Sequence, residues 1–136
     1  MLNILLVDDD TSTLAAAESL LEILGYQCTS CTNAHDAFAA YQTQSFDVVI
    51  TDFQMPGMTG LDLIREIRQL NPHADCILMS GFAKQQVISD AYSLGASHCF
   101  MKPLDLDIFR SALRNMEDRK HTESPSTIVA APDQKS

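Results

Sequence analysis

The first 64 residues contain no lysine and no arginine; the first such residue is Arg65. Over the same stretch Asp8, Asp9, Asp10, Glu18, Glu22, Asp36, Asp47, Asp52 and Asp62 accumulate, and the 136-residue chain carries a net charge of −9. A chain this poor in cations, with a pI near 4.6, is a weak partner for a phosphate backbone, so nucleic-acid contact is not expected. No apolar run approaches the roughly 20 residues that cross a bilayer, so no membrane span is expected. The start, MLNILLVDDD, has no basic n-region and meets three acids at once, unlike a secretory signal. Internal repeats are also missing. The length suits one compact domain with a core of useful size.

Cysteines are few: Cys28, Cys31, Cys76 and Cys99. Without a targeting signal they read as reduced thiols of a cytoplasmic protein. Cys28 and Cys31 form a C-x-x-C, but in the extended-looking segment YQCTSC (26–31) residues three apart point to opposite faces. Burial as small apolar side chains is the better reading than a redox pair or a zinc site. The four histidines, His35, His73, His98 and His121, are scattered, with no ligand partner at useful spacing.

What is present is an alternation. Short apolar runs, NILLV (3–7), YQCTSC (26–31), DVVIT (47–51), CILMS (76–80) and SHCFM (97–101), are separated by stretches of helical period. In the first helix Leu14, Ala17, Leu20, Leu21 and Leu24 share a face, Thr11, Ser12 or Thr13 can cap it, and Gly25 ends it. A second runs from about Ala34 to Gln42 behind Asn33. A third begins near Gly60 and stops at Asn71-Pro72, a fourth spans about Lys84 to Leu94, and a fifth follows Pro103. Strands alternating with helices at this spacing imply right-handed crossovers and a parallel sheet covered on both faces. The expected fold is therefore α/β and doubly wound, with five strands and five helices over residues 1–118. Residues 119–136, polar and holding two prolines, read as a disordered tail or linker stub.

In such a sheet ligands bind beyond the carboxyl ends of the strands, and the chemistry-bearing residues gather there. Asp8, Asp9 and Asp10 follow the first strand, Asp52 the third, Ser80 ends the fourth and Lys102 follows the fifth. Any one of these is ordinary, and an acid triplet after a strand also suits a helix N-terminus. Together they describe a shared site. Converging carboxylates repel unless a cation joins them, and a few hard oxygens with retained waters suit magnesium. An ammonium and a hydroxyl beside a nucleophilic aspartate then suit a phosphoryl group.

The pieces VDD (7–9), DFQMPGMTG (52–60), MSG (79–81) and GASHCFMKP (95–103) resemble a response-regulator receiver domain of two-component signalling, over about residues 2–118. The resemblance implies a flavodoxin-like sheet of order 2-1-3-4-5. It implies that Asp52 is the phosphoacceptor, loaded from a histidine on a kinase or on a histidine phosphotransfer protein. It further implies Asp8 and Asp9 as the acidic pair, with Asp9 a direct Mg²⁺ ligand beside Asp52 and the backbone carbonyl of Gln54. Ser80 matches the family's hydroxyl position and Lys102 its lysine, with Lys102-Pro103 a candidate cis bond. Gly57 and Gly60 fit the turn after the acceptor, where positive φ is often needed. The family's helix 4, strand 5 and helix 5, here about residues 84–118, would form the partner-binding face. One position departs: the switch aromatic falls on Cys99, and Phe100 should face the other side of the sheet.

Two other readings keep a place. Asp8-x-Asp10-x-Ser12 resembles the nucleophile motif of haloacid-dehalogenase-type phosphatases, with Asp8 attacking. That reading lacks a second acidic motif after the lysine and a cap insertion, and leaves DFQMPGMTG unexplained. A pseudo-receiver that only docks would keep the fold without the chemistry.

Overall fold

The computed structural model describes residues 2–81, 84–102 and 105–122. The elements alternate as β1 (Asn3–Val7), α1 (Thr11–Ile23), β2 (Gln27–Cys31), α2 (Ala34–Thr43), β3 (Val48–Asp52), α3 (Gly60–Leu70), β4 (Asp75–Ser80), α4 (Gln85–Ser93), β5 (His98–Met101) and α5 (Leu106–Thr122). All strands pair in parallel, in the order β2-β1-β3-β4-β5. The β3–β4 register sets Asp52 beside Met79, and the β4–β5 register sets Ser80 beside Met101. The expected fold class is the one observed. Residues 1–103 form one compact unit and residues from 104 onward a second, whose described part is α5.

Strand alternation sorts the first unit's core. Leu5 and Val7 of β1, Val49 of β3, and Cys76 and Leu78 of β4 pack with Ala37, Leu63, Ile64, Ile67 and Ala91 of α2, α3 and α4. The intervening residues Ile4, Leu6, Ile50 and Ile77 are also buried, on the opposite face, as are Leu14 and Leu21 of α1. A strand buried on both faces needs a continuous apolar run, which is why β3 and β4 read as VVIT and CILM.

The helix starts show how local chemistry fixes the ends. Asn33 accepts from the Asp36 amide at 2.7 Å, and Thr59 and Asp62 form a reciprocal capping box. The cap of α1 is a correction. Asp10, not Thr11, Ser12 or Thr13, holds the extended cap conformation, and its carboxylate accepts from the Ser12 and Thr13 amides at 3.0 and 3.3 Å. Those bonds hold the Asp10 carboxyl below its ordinary value. α4 has no side-chain cap.

α5 continues through Thr122, into the 119–136 stretch expected as a tail. Residues 123–136 and Pro103, with its candidate cis bond, lie outside the described residues.

The cysteines behave as small apolar residues, and all four are free thiols. On β2, Cys31 packs against the α2–α4 core while Cys28 faces Ser30, so the C-x-x-C is split across the sheet. Cys76 is wholly buried, which pushes its thiol up to about 12. Iodoacetamide at mildly alkaline pH is therefore expected to leave Cys76 unmodified in the folded chain and to reach it on unfolding. Peptide mass mapping of the two states checks this; labelling of Cys76 in the native state at the rate of Cys31 would contradict the packing.

Candidate functional site

At the carboxyl end of the sheet lies a cleft of about 760 Å³, lined by Asp8, Asp9, Asp10, Asp52, Phe53, Gln54, Met55, Pro56, Thr59, Ser80, Gly81 and Lys102. β1 and β3 are neighbours, so the acids that follow one strand meet the acid that ends the other. Asp8, Asp9 and Asp52 each present a carboxylate oxygen within 4.8 Å of the other two.

Asp8 is 1% exposed and fully engaged: Oδ1 accepts from the Asp10 amide at 2.9 Å, and Oδ2 from Lys102 Nζ at 2.9 Å. Its own amide donates to the Cys31 carbonyl, which ties the end of β1 to β2. Asp9 is exposed at the mouth. Asp52 is 8% exposed, and its Oδ1 lies 3.2 Å from Lys102 Nζ. Lys102 thus bridges a carboxylate that follows β1 and one that ends β3.

The electrostatics follow from crowding. Burial pushes the Asp52 carboxyl above its ordinary value; Lys102 opposes this and the Asp8 charge adds to it. Burial alone would lower Lys102, but its hydrogen bond to Asp8 and the charges of both aspartates outweigh that and raise it. The lysine stays cationic.

The backbone beneath Asp52 is held tightly. The Thr51 hydroxyl, fully buried, donates to the Asp52 carbonyl at 3.0 Å, and the Phe53 amide donates to the Met79 carbonyl at 2.9 Å. Ser80 is 3% exposed, lines the cleft, and accepts the Lys102 amide at its carbonyl at 2.8 Å, which fixes where the lysine leaves β5. Gln54 also lines the cleft.

The two glycines after Asp52 serve different ends. Gly57 has φ +79°, as a turn glycine would, whereas Gly60 does not. Gly60 opens α3 with its Cα against β3: a Cβ there would lie 2.2 Å from the Asp52 carbonyl oxygen. The helix start near Gly60 was visible in sequence; the close approach was not.

Such a donor set is all hard oxygen, three carboxylates beside one ammonium, and it fits a divalent cation of the magnesium type. The chain also matches the family described as "Response regulator receiver domain" over residues 4–114. It belongs to that family. Among solved structures, a response regulator receiver domain protein from Clostridium thermocellum is 30% identical, with a TM-score of 0.84, covering 89% of this chain and 98% of that one. Among curated proteins, the transcriptional regulatory protein ZraR of Salmonella typhimurium is 34% identical over 82% of this chain and 25% of its own length. The DNA-binding transcriptional regulator NtrC of the same organism is 36% identical over 74% of this chain and 22% of its own. This receiver thus spans about a quarter of the curated relatives it matches. No described helix of the receiver is long and apolar enough to cross a membrane.

The departure at residue 99 stands. Cys99 packs toward the α2–α4 core, and Phe100 lies on the opposite face, stacked on His98 with ring centroids 5.4 Å apart.

Proposed function

We propose that this receiver is a cytoplasmic phosphoacceptor switch in which Asp52 takes a phosphoryl group from a histidine of a partner kinase or phosphotransfer protein. The observation that carries this reading is Lys102 Nζ, poised between Asp8 and Asp52 at the base of the cleft. An oxygen of Asp52 attacks phosphorus, the bond to the donor imidazole nitrogen breaks with its electron pair left on that nitrogen, and an acyl phosphate forms. Lys102 pairs with the transferred oxygens, and the Ser80 hydroxyl donates to another. Asp8, Asp9, Asp52 and the Gln54 carbonyl would hold magnesium, which neutralises phosphoryl charge when bound.

Asp52 suits the nucleophile better than Asp8. Both oxygens of Asp8 already accept hydrogen bonds and the residue is 1% exposed. This weighs against the phosphatase reading, and the assembled site weighs against a docking-only one. Incubation with Mg²⁺ and a small acyl phosphate is expected to add one phosphoryl mass to the intact chain, and Asp52→Ala is expected to abolish it. Label found on Asp8, or no added mass where a control receiver is labelled, would overturn the reading.

A further inference from the structure

β3 reads VVITD, and the residue before Asp52 does not match its surroundings. Thr51 is fully buried in the middle strand of the sheet, set between Val7 of β1 and Leu78 of β4. A valine has the same shape and would suit that place better, since a buried hydroxyl is unfavourable unless it makes a hydrogen bond. The phosphoryl chemistry proposed above gives this hydroxyl no part.

Its partner is the Asp52 carbonyl, at 3.0 Å. The last β1–β3 pair is Val7 with Thr51, so this carbonyl lies one residue beyond the end of that ladder. The same peptide unit is held at its other edge, where the Phe53 amide donates to the Met79 carbonyl at 2.9 Å. That amide also reaches the Asp52 carboxylate and favours its charged form. Gly60 closes a further side, where an added Cβ would lie 2.2 Å from the carbonyl oxygen. A side-chain hydroxyl, a strand carbonyl and a close Cα thus fix one peptide plane, and the acceptor carboxylate stands beside it.

We infer that Thr51 is a positioning residue for phosphoryl transfer: its hydroxyl fixes the tilt of the Asp52–Phe53 peptide, and with it the aim of the Asp52 carboxylate. The inference rests on Asp52 being the phosphoacceptor. Thr51 lies beneath the cleft rather than in its wall, so it acts through the backbone. Without the hydroxyl the peptide is free to turn about its remaining bond, which changes the angle at which the carboxylate meets phosphorus. Small misplacements of a nucleophile cost rate steeply.

The test compares wild type, Thr51→Val and Thr51→Ser as full chains with saturating Mg²⁺. Uptake from a small acyl phosphate is followed by intact mass, and stability by urea unfolding. Thr51→Val is expected to stay folded without urea and to take up phosphoryl groups about tenfold more slowly. Thr51→Ser keeps the hydroxyl but leaves a small void, so it is expected to unfold at lower urea than wild type. Its uptake rate is nonetheless expected to lie within about twofold of wild type. Thr51→Val at the wild-type rate, Thr51→Ser as slow as Thr51→Val, or rates that simply follow the urea midpoints would overturn the inference. Wild type that takes up no phosphoryl group overturns the Asp52 reading and this inference together; wild-type uptake matched by Thr51→Val overturns this inference alone.

Discussion

Gly60→Ala is expected to cost about 2 kcal/mol of stability or more, toward the upper part of the usual range for an overpacked site, and to slow phosphoryl uptake by Asp52. The added methyl would sit 2.2 Å from the Asp52 carbonyl oxygen and 3.0 Å from both its carbon and Leu78 Cδ1. Neither partner yields easily. The start of α3 is pinned by the Thr59–Asp62 capping box and by the Gly60 amide on the Phe53 carbonyl at 2.9 Å. β3 is the middle strand of five, and the Asp52 carbonyl is already held by Thr51. The relief open to the chain is to tilt the Asp52 peptide, which re-aims the carboxylate away from Lys102. Gly57→Ala is the control. Its φ of +79° makes a side chain unfavourable by about 1–2 kcal/mol, but nothing lies within 4 Å, so uptake should not change. Urea unfolding with acyl phosphate kinetics separates the two; a Gly60→Ala protein equal to wild type in both would refute the account.

Lys102→Met is expected to destabilise the metal-free protein by about 2–3 kcal/mol, because it strands two carboxylates that burial has taken from water. The figure sits below that for a fully buried pair since the lysine side chain is 25% exposed. Saturating Mg²⁺ should restore most of the loss by supplying positive charge to the same acids, while uptake stays down about a hundredfold, as for loss of a transition-state donor. The pH dependence has a definite sign. A lysine whose value is raised in the folded chain stabilises fully below its ordinary value and loses that contribution only as pH rises through the folded one. The wild-type advantage over Lys102→Met should therefore persist across neutral pH, fade in strong alkali as the lysine loses its proton, and fade in acid as the carboxylates gain theirs. Equal denaturation midpoints in EDTA for the two proteins would count against the bridging role.

Much of this architecture was legible in the residues. Short apolar runs located each strand to within a residue or two, and the central strands, buried on both faces, have little compositional freedom. Asn33, the break at Asn71-Pro72 and Gly25 marked ends where a cap or a lost hydrogen bond decides the matter. The misses have physical reasons. Asp10 was counted with the acidic cluster, yet its place just ahead of the helix commits it to two amides. The far end of α5 passes through MEDRKHT, where helix continues on charged residues with good propensity and little apolar signal. The family resemblance named the residues of the cleft; it did not foretell that Gly60 would touch the Asp52 backbone.

The ion pair between Lys102 and Asp8 joins residues 94 apart in sequence. On a ribosome the acids of the cleft emerge long before the cation that balances them, and the first 64 residues carry no positive side chain at all. The cleft can close only after β5 has added to the edge of the sheet, a late and non-local event in any folding order. Competence to receive a signal is thus a property of the finished sheet: a nascent or half-folded chain already displays the aspartates, but holds them without the lysine that makes them a receiving site.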